Sequence, residues 1–191
     1  MAWTSARIDA HAARIPVDGA AVEPSVPSSV VERRFSQLVI DQRASLYRYL
    51  RRQGAAPDVA EDCLQEALVR AFRSLDTLRD WGKARGWIFG IARHVFLDHT
   101  RRSAVRARPV EATAEERPSP DEELDRADRA RWLRRAITRL GSPRSDVIDL
   151  HYGSGLTVNE IARALDLPSG TVKTHLYRAR AELRRALVEE S

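Results

Sequence analysis

The segment Thr157–Leu187, TVNEIARALDLPSGTVKTHLYRARAELRRAL, decides the fold. Thr157 and Glu160 have the spacing of a capping box, in which each side chain accepts a hydrogen bond from the other residue's backbone amide. Ala162 is small enough for a close helix crossing. Asp166 stands at the turn, where Asp tolerates a left-handed backbone better than most residues. The segment therefore predicts two helices joined by a tight turn, the pattern of a helix-turn-helix.

The second of these helices has one apolar and one polar face. Apolar residues recur at helical spacing, which predicts packing against the first helix. They are Val172, Leu176, Ala179, Leu183 and Leu187. Opposite them lie Thr171, Thr174 and Arg178, where a recognition helix contacts base edges in the major groove. Lys173 flanks this face and can bind phosphate, as can the backbone amides near Ser169. The residues alone also fit a helical hairpin with a solvated basic face.

The rest of the chain carries further helical patterns and no convincing strand. The predicted helices run from Val30 to Gln53, Pro57 to Leu75, Ala84 to Arg102 and Asp121 to Leu140, and another opens with Ser142 as N-cap before Pro143. Residues 1–29 and 103–120 contain prolines and lack this period. We expect an all-α fold of two small helical domains, at 30–102 and 121–191. A disordered extension (1–29) would precede them and a flexible linker (103–120) would join them.

The predicted helix that begins at Pro57 has an acidic outer face. Asp62, Gln65 and Glu66 share that face, and Arg70 offsets part of the repulsion between the two carboxylates. The chain as a whole is basic, with a formal net charge of +5. An acidic patch on a basic chain suggests a basic protein partner. The same residues also fit an ordinary solvated helix face.

The third predicted helix and the loop before it combine aromatic with basic side chains. These are Trp81, Trp87, Phe89 and Phe96 with Arg85, Arg93, Arg101 and Arg102. The combination suits single-stranded DNA, because bases stack on rings while arginines bind phosphates. Trp81, in the loop, is the better candidate for stacking on a base, since Trp87 falls on the predicted core face. His94, Asp98 and Arg101 share one face of the helix.

The composition excludes several classes of protein. Cys63 is the one cysteine, so neither an intramolecular disulfide nor a multi-cysteine zinc site can form. No apolar run reaches the length of a membrane span and no secretion signal is present, so we expect a soluble cytoplasmic protein. The sequence has no Gly-rich phosphate loop, nucleophile elbow or metal motif, which argues against an enzyme and against any cofactor or metal.

Taken together, these segments resemble the extracytoplasmic-function class of bacterial RNA polymerase sigma factors over residues 30–189. The stretch AEDCLQE at Ala60–Glu66 is similar to the family's polymerase-binding signature, and GWIFGIAR at Gly86–Arg93 is similar to its minus-ten segment. LTVNEIA at Leu156–Ala162 and GTVKTHLYRAR at Gly170–Arg180 are similar to its minus-thirty-five helix-turn-helix. The motifs stand in the family's order. The resemblance implies a sigma-2-like helical bundle followed by a sigma-4-like domain.

The resemblance also implies a role for each candidate residue. Those that would contact the clamp helices of the polymerase β′ subunit are Asp62, Gln65, Glu66 and Arg70. Those that would bind the melted minus-ten element are Trp81, Lys83, Arg93, His94, Asp98 and Arg101. Those that would bind the duplex minus-thirty-five element are Ser169, Thr171, Lys173, Thr174 and Arg178. The second domain would also contact the β flap, and an anti-sigma factor commonly occludes both domains in this family. His94 stands where the family often has Asn.

The predicted function is that of a sigma factor, which binds core RNA polymerase, directs it to promoters and assists DNA melting. A stand-alone operator-binding regulator would share the helix-turn-helix, but the acidic signature and the aromatic third helix argue against it. A nuclease would use Glu61, Asp62, Glu66, His94 and His99. Those residues lie on two predicted helices with no clear convergence, which argues against a catalytic site.

Overall fold

The computed structural model describes residues 28–106 and 122–189, which are mostly helical and contain no strand. The helices are α1 (Ser28–Arg52), α2 (Pro57–Arg73), α3 (Ala84–Arg106), α4 (Glu122–Arg139), α5 (Arg144–Ile148), α6 (Val158–Leu165) and α7 (Ser169–Glu189). Two short 3₁₀ turns, Leu75–Thr77 and Trp81–Lys83, precede α3, and a π-helical turn, Asp149–Gly153, continues α5. The prediction of an all-α fold is confirmed.

Contacts divide the chain into two units, Met1–Arg33 and Arg34–Ser191. The second unit contains nearly all of the described residues. The extension predicted at 1–29 and the linker predicted at 103–120 lie largely outside the described residues. Their disorder and the exact domain boundaries therefore stay predictions.

One hydrophobic core runs through the second unit and draws on both halves of the described chain. Its largest fully buried side chains are Leu46, Tyr49, Leu50, Leu64, Ile88 and Phe89 from the first half, and Val147, Leu150, Leu156, Ile161 and Val172 from the second. The Tyr49 and Phe89 rings pack edge to face, with centroids 5.7 Å apart. Phe89, which the sequence grouped with rings suited to DNA, is thus unavailable for base stacking. The physical reason is that α3 is covered both by α2 and by α6.

The start and end of α6 follow the sequence signals. The capping box is present: the Thr157 amide donates to Glu160 Oε2 at 2.7 Å, and the Glu160 amide donates to Thr157 Oγ1 at 3.3 Å. Asp166 ends the helix in the left-handed region, with φ 52° and ψ 48°. Both predictions are confirmed, and together they fix the direction in which the chain leaves α6 for α7.

Helix α5 begins one residue later than the sequence predicts. Pro143 rather than Ser142 occupies the N-cap, and no side chain caps the helix. The Ser142 hydroxyl instead donates to Asp146 Oδ2 at 2.9 Å. Asp146 is buried, and a buried carboxylate needs hydrogen-bond donors more than an exposed helix end does. The prediction of Ser142 as N-cap is therefore wrong.

Helix α3 packs against α6 at a glycine seam, formed by Gly86 and Gly90 one helical turn apart. A Cβ at residue 86 would lie 2.9 Å from the Glu160 Cα, a separation that real Cβ atoms essentially never show. A Cβ at residue 90 would lie 3.2 Å from the Ala164 carbonyl oxygen. The missing side chains let the two backbones touch. The first helix of the helix-turn-helix therefore lies directly on α3.

Replacing Thr157 by Ala removes the hydroxyl that accepts the Glu160 amide proton. Loss of an N-cap side chain typically costs about 1 kcal/mol, so we expect the free energy of unfolding to fall by about that amount in urea denaturation followed by circular dichroism. Asn159→Ala, an exposed change on the same helix turn that leaves the capping box intact, is the matched control. Equal stability of Thr157→Ala and the wild type would show that the box contributes nothing.

Candidate nucleic-acid and protein interfaces

Helix α7 presents the predicted minus-thirty-five residues on its outer side. Lys173, Thr174 and Arg178 are exposed, as is Ser169 at the first position of the helix, while Thr171 is half-buried. Val172, Leu176 and Ala179 are buried on the opposite side. The Thr174 hydroxyl donates to the Gly170 carbonyl at 3.0 Å. Helix α7 therefore has a polar outer face and an apolar inner face, the pattern that the sequence led us to expect of a recognition helix.

A further aromatic residue supports the basic side of α7 and was missed from the sequence. The Arg180 guanidinium lies 5.6 Å from the ring centroid of Tyr152, and that ring packs edge to face on His151 with centroids 4.7 Å apart. Tyr152 belongs to the π-helical turn after α5. The sequence indicates only that a helix ends at Gly153-Ser154-Gly155. No pattern of residues predicts a π turn, so the position of Tyr152 could not be predicted.

The acidic face of α2 is solvent-exposed. Asp62, Gln65 and Glu66 all lie in solvent. Arg70 is half-buried: its Nε donates to Glu66 Oε1 at 2.7 Å and its Nη1 to Asp98 Oδ2 at 3.2 Å. The hydrogen bond to Glu66 is the main reason that the pKa of the Arg70 guanidinium rises above its usual value. Arg70 thus joins the predicted polymerase-binding face to a residue of the predicted minus-ten set.

The turn before α3 holds Trp81 and Lys83. The Trp81 ring is half-buried, and the Arg34 guanidinium lies 5.9 Å from its centroid. Lys83 Nζ lies 3.2 Å from Asp80 Oδ2, and the Gly82 amide donates to Asp80 Oδ1 at 2.9 Å. The hydrogen bond from Lys83, assisted by the Gly82 amide, lowers the pKa of Asp80. The Asp80 side chain caps this turn and so fixes the backbone that carries Trp81.

The remaining predicted minus-ten residues lie on α3, but they do not all share one exposed surface. Arg101 is exposed, His94 Nδ1 lies 2.8 Å from the Gly90 carbonyl oxygen, and Asp98 is paired with Arg70. Arg93 instead reaches the second half of the chain, where its Nη2 lies 2.8 Å from Asp146 Oδ2. The structure therefore does not present Arg93 together with Arg101 on one open surface.

A partly buried polar cluster beside this pair was also missed from the sequence. Arg52 pairs with Asp149 through Nε and donates to Ser154 Oγ at 2.8 Å, and Gln53 Nε2 donates to Asp149 Oδ2 at 2.9 Å. Burial raises the pKa of Asp149, and the Arg52 guanidinium opposes that change. Burial also raises the pKa of the nearby Tyr49 phenol. Asp146 and Asp149 interrupt an apolar run, the one sequence signal that could have found this cluster.

Comparison with known proteins matches the two halves of the chain to different families. Residues 38–106 match the family described as sigma-70 region 2. Residues 130–183 match the family described as sigma-70, region 4. Within residues 28–106 and 122–189, no helix has a stretch both long and apolar enough to cross a bilayer.

Curated relatives resemble the chain over most of its length. It is 32% identical over 168 residues to the ECF RNA polymerase sigma factor SigL of Mycobacterium tuberculosis, covering 85% of this chain and 94% of SigL. It is 33% identical over 158 residues to the RNA polymerase sigma-E factor of Streptomyces coelicolor, covering 81% of this chain and 86% of that factor.

Two solved structures are also similar. CnrH, in complex with the cytosolic domain of CnrY, has a TM-score of 0.61 and 26% identity, over 84% of this chain and 91% of that chain. The sigma factor RpoE of Bartonella quintana, in complex with the anti-sigma factor NepR, has a TM-score of 0.60 and 21% identity, over 81% of this chain and 97% of that chain. This similarity supports the fold.

A sigma-70 region 2 followed by a sigma-70 region 4 defines a class of protein, the transcription initiation factors of the sigma-70 type. With the relatives above, the chain belongs to the ECF RNA polymerase sigma factors. That family is non-catalytic, in keeping with the sequence analysis.

Proposed function

We propose that this sigma factor holds core RNA polymerase through the acidic face of α2 and reads promoter DNA with two separate surfaces. The turn around Trp81 and the outer side of α3 would bind the melted minus-ten element. The outer face of α7 would bind the duplex minus-thirty-five element. The observation that carries the proposal is the order of two sigma-70 regions along a chain whose acidic α2 face and outer α7 face are exposed.

The acidic face suits a basic protein surface rather than DNA. Asp62 and Glu66 would repel phosphates, so a nucleic-acid contact at this face is unfavourable. A sigma factor needs a surface for the polymerase, and the exposed carboxylates offer charge complementarity to the clamp helices of the β′ subunit. Arg70, held between Glu66 and Asp98, would keep that face in register with α3.

The face of α7 suits duplex DNA. Thr171, Thr174 and Arg178 present hydroxyl and guanidinium groups that can reach base edges, and Lys173 can bind a flanking phosphate. Arg180, braced by Tyr152, adds a second cation beside that surface. The C-terminal half would also meet the β flap of the polymerase, since an upstream DNA contact must be tied to the enzyme to direct it.

An anti-sigma factor is a further proposed partner. CnrH was solved in complex with the cytosolic domain of CnrY, and the sigma factor RpoE of Bartonella quintana in complex with the anti-sigma factor NepR. We place this chain in the cytoplasm, where RNA polymerase acts, and we assign it no catalytic role and no cofactor.

Reversing the charge of the acidic face should abolish binding to core polymerase. We expect the wild-type chain to co-elute with core polymerase in size-exclusion chromatography, and the double variant Asp62→Arg, Glu66→Arg to elute alone. The reason is that two attractive contacts become repulsive against a basic partner. The measurement is the fraction of each protein in the polymerase peak at equal loading.

The charge-matched control is the double variant Asp41→Arg, Asp76→Arg, which alters exposed aspartates outside α2 and should co-elute normally. Co-elution of the Asp62, Glu66 double variant would move the polymerase contact to another face. Failure of the folded wild type to co-elute would contradict the proposed function.

Substitutions on α7 should separate base reading from phosphate binding. With holoenzyme bound to promoter DNA obtained by in vitro selection, Arg178→Ala should weaken binding by about 1–3 kcal/mol and relax preference at one position. Lys173→Ala should weaken binding to all sequences alike and lower the salt slope by about 1. Arg48→Ala, an exposed arginine change on α1, is the control. Identical sequence preference of Arg178→Ala and the wild type would place base reading elsewhere.

A further inference from the structure

We propose that His94 selects one base of the minus-ten element, and that this base carries an exocyclic amine, which means adenine or cytosine. The inference deepens the proposed function and rests on it, because it names the class of base that the outer side of α3 reads. Three features carry it: the tautomer of the imidazole ring, the accessibility of its second nitrogen, and the chemistry of the groups that DNA can offer to that nitrogen.

The backbone of α3 fixes the tautomer of His94. The Nδ1 atom of the ring lies 2.8 Å from the carbonyl oxygen of Gly90, one helical turn earlier. A carbonyl oxygen can only accept a hydrogen bond, so the proton of the neutral imidazole is on Nδ1. The oxygen has two lone pairs, which lets it accept from the ring as well as from a backbone amide. The other ring nitrogen, Nε2, is therefore an acceptor without a proton.

The acceptor nitrogen of His94 is accessible to a ligand. Within residues 28–106 and 122–189, Nε2 has no hydrogen-bond partner. In that same part of the chain, the buried side-chain nitrogens and oxygens without a partner are Tyr49 Oη and His175 Nδ1. The His94 side chain is half-buried, and Nε2 is not among those buried atoms. Solvent or a nucleic-acid base can therefore reach it.

The neighbouring side chains leave His94 as the uncharged acceptor of its helix face. Asp98, one turn further along α3, accepts a hydrogen bond from Arg70 Nη1 at 3.2 Å, and its charge repels phosphates. Arg101 is exposed and can bind a phosphate about 10 Å along the helix axis from His94. Because these residues share one face of α3, a strand held by Arg101 would pass the imidazole ring.

DNA offers few partners to a group that can only accept a hydrogen bond. Phosphate and deoxyribose oxygens are themselves acceptors, and DNA lacks the 2′-hydroxyl group of RNA. The donors of a DNA strand are therefore on its bases. On the major-groove edge, adenine and cytosine present an amine, whereas guanine and thymine present a carbonyl oxygen. An unprotonated Nε2 attracts the amine and repels the carbonyl oxygen, so His94 discriminates between these two pairs of bases.

The first test compares the sequences that different holoenzymes select. Core polymerase carrying the wild-type chain or His94→Phe selects binding sites from DNA randomised across the minus-ten element, at about pH 8, where imidazole side chains are neutral. We expect the wild-type chain to enrich adenine or cytosine at one position. His94→Phe should lose that preference, because phenylalanine keeps a planar ring but has no acceptor.

Two further variants complete the selection. In His94→Asn, the amide can turn to present either a donor or an acceptor, so this variant should tolerate all four bases at that position. It also keeps the test intact should His94→Phe fold poorly. His99→Phe makes the same change at the other histidine of α3, outside the predicted DNA-binding set. It is the matched control and should keep the wild-type preference.

A base analogue then isolates the single hydrogen bond. The selected adenine is replaced by unsubstituted purine, or the selected cytosine by pyrimidin-2-one, which removes the amine without adding a donor. The template has its minus-ten element already unpaired, so the analogue does not alter base pairing. Removal of one hydrogen bond should weaken binding of the wild-type holoenzyme by about 2- to 10-fold. The His94→Phe holoenzyme should bind both templates alike, which gives a coupling between residue and amine.

Co-elution with core polymerase and circular dichroism verify that each variant is bound and helical before the comparison. An unchanged preference in His94→Phe, a wild-type preference for guanine or thymine, or an equal loss of binding on amine removal in both proteins would overturn the role of His94 and leave the sigma function standing. Failure of the wild-type chain to form a holoenzyme that binds any selected promoter would instead overturn the proposed function and, with it, this inference.

Discussion

The structure depends on the direct backbone contact between α3 and α6. Two glycines one turn apart on α3 let the first helix of the helix-turn-helix lie against it. This contact joins the halves that match sigma-70 regions 2 and 4 into one core. A side chain at residue 86 would force α3 and α6 apart. Because these two helices lie so close together, Phe89 is buried and Arg93 can reach Asp146.

The pairing of charged side chains determines which of them are buried and which are exposed to solvent. In a basic chain, Asp146 and Asp149 are drawn into the interior and engage Arg93 and Arg52. Asp62 and Glu66 stay outside on α2, where they give an acidic face beside an arginine that links them to α3. The cations of α7 remain in solvent. Buried charges thus pair with one another inside the protein, whereas the exposed charges of α2 and α7 stay available to bind partners.

Local signals in the sequence predicted local structure well. The capping box at Thr157, the left-handed Asp166 and the apolar face of α7 all depend on neighbours a few residues away, and each is present. The sequence was less informative where distant residues decide. Ser142 bonds to a buried Asp146 rather than capping a helix, and Phe89 packs on Tyr49 rather than facing solvent. The pairing of Arg93 with Asp146 was not foreseen, and the minus-ten role of Arg93 stays a prediction. No period or spacing along the chain encodes a contact between its two halves.

The central claim is that one chain reads two separate promoter elements, one with each of its two sigma-70 regions. The direct measurement is transcription of a genomic library by core polymerase with and without this chain, with sequencing of transcript 5′ ends. The account predicts chain-dependent start sites that share two upstream blocks, and an Arg178→Ala chain whose start sites lose the preference in the far block alone. Start sites that share a single block, or none that depend on the chain, would contradict it.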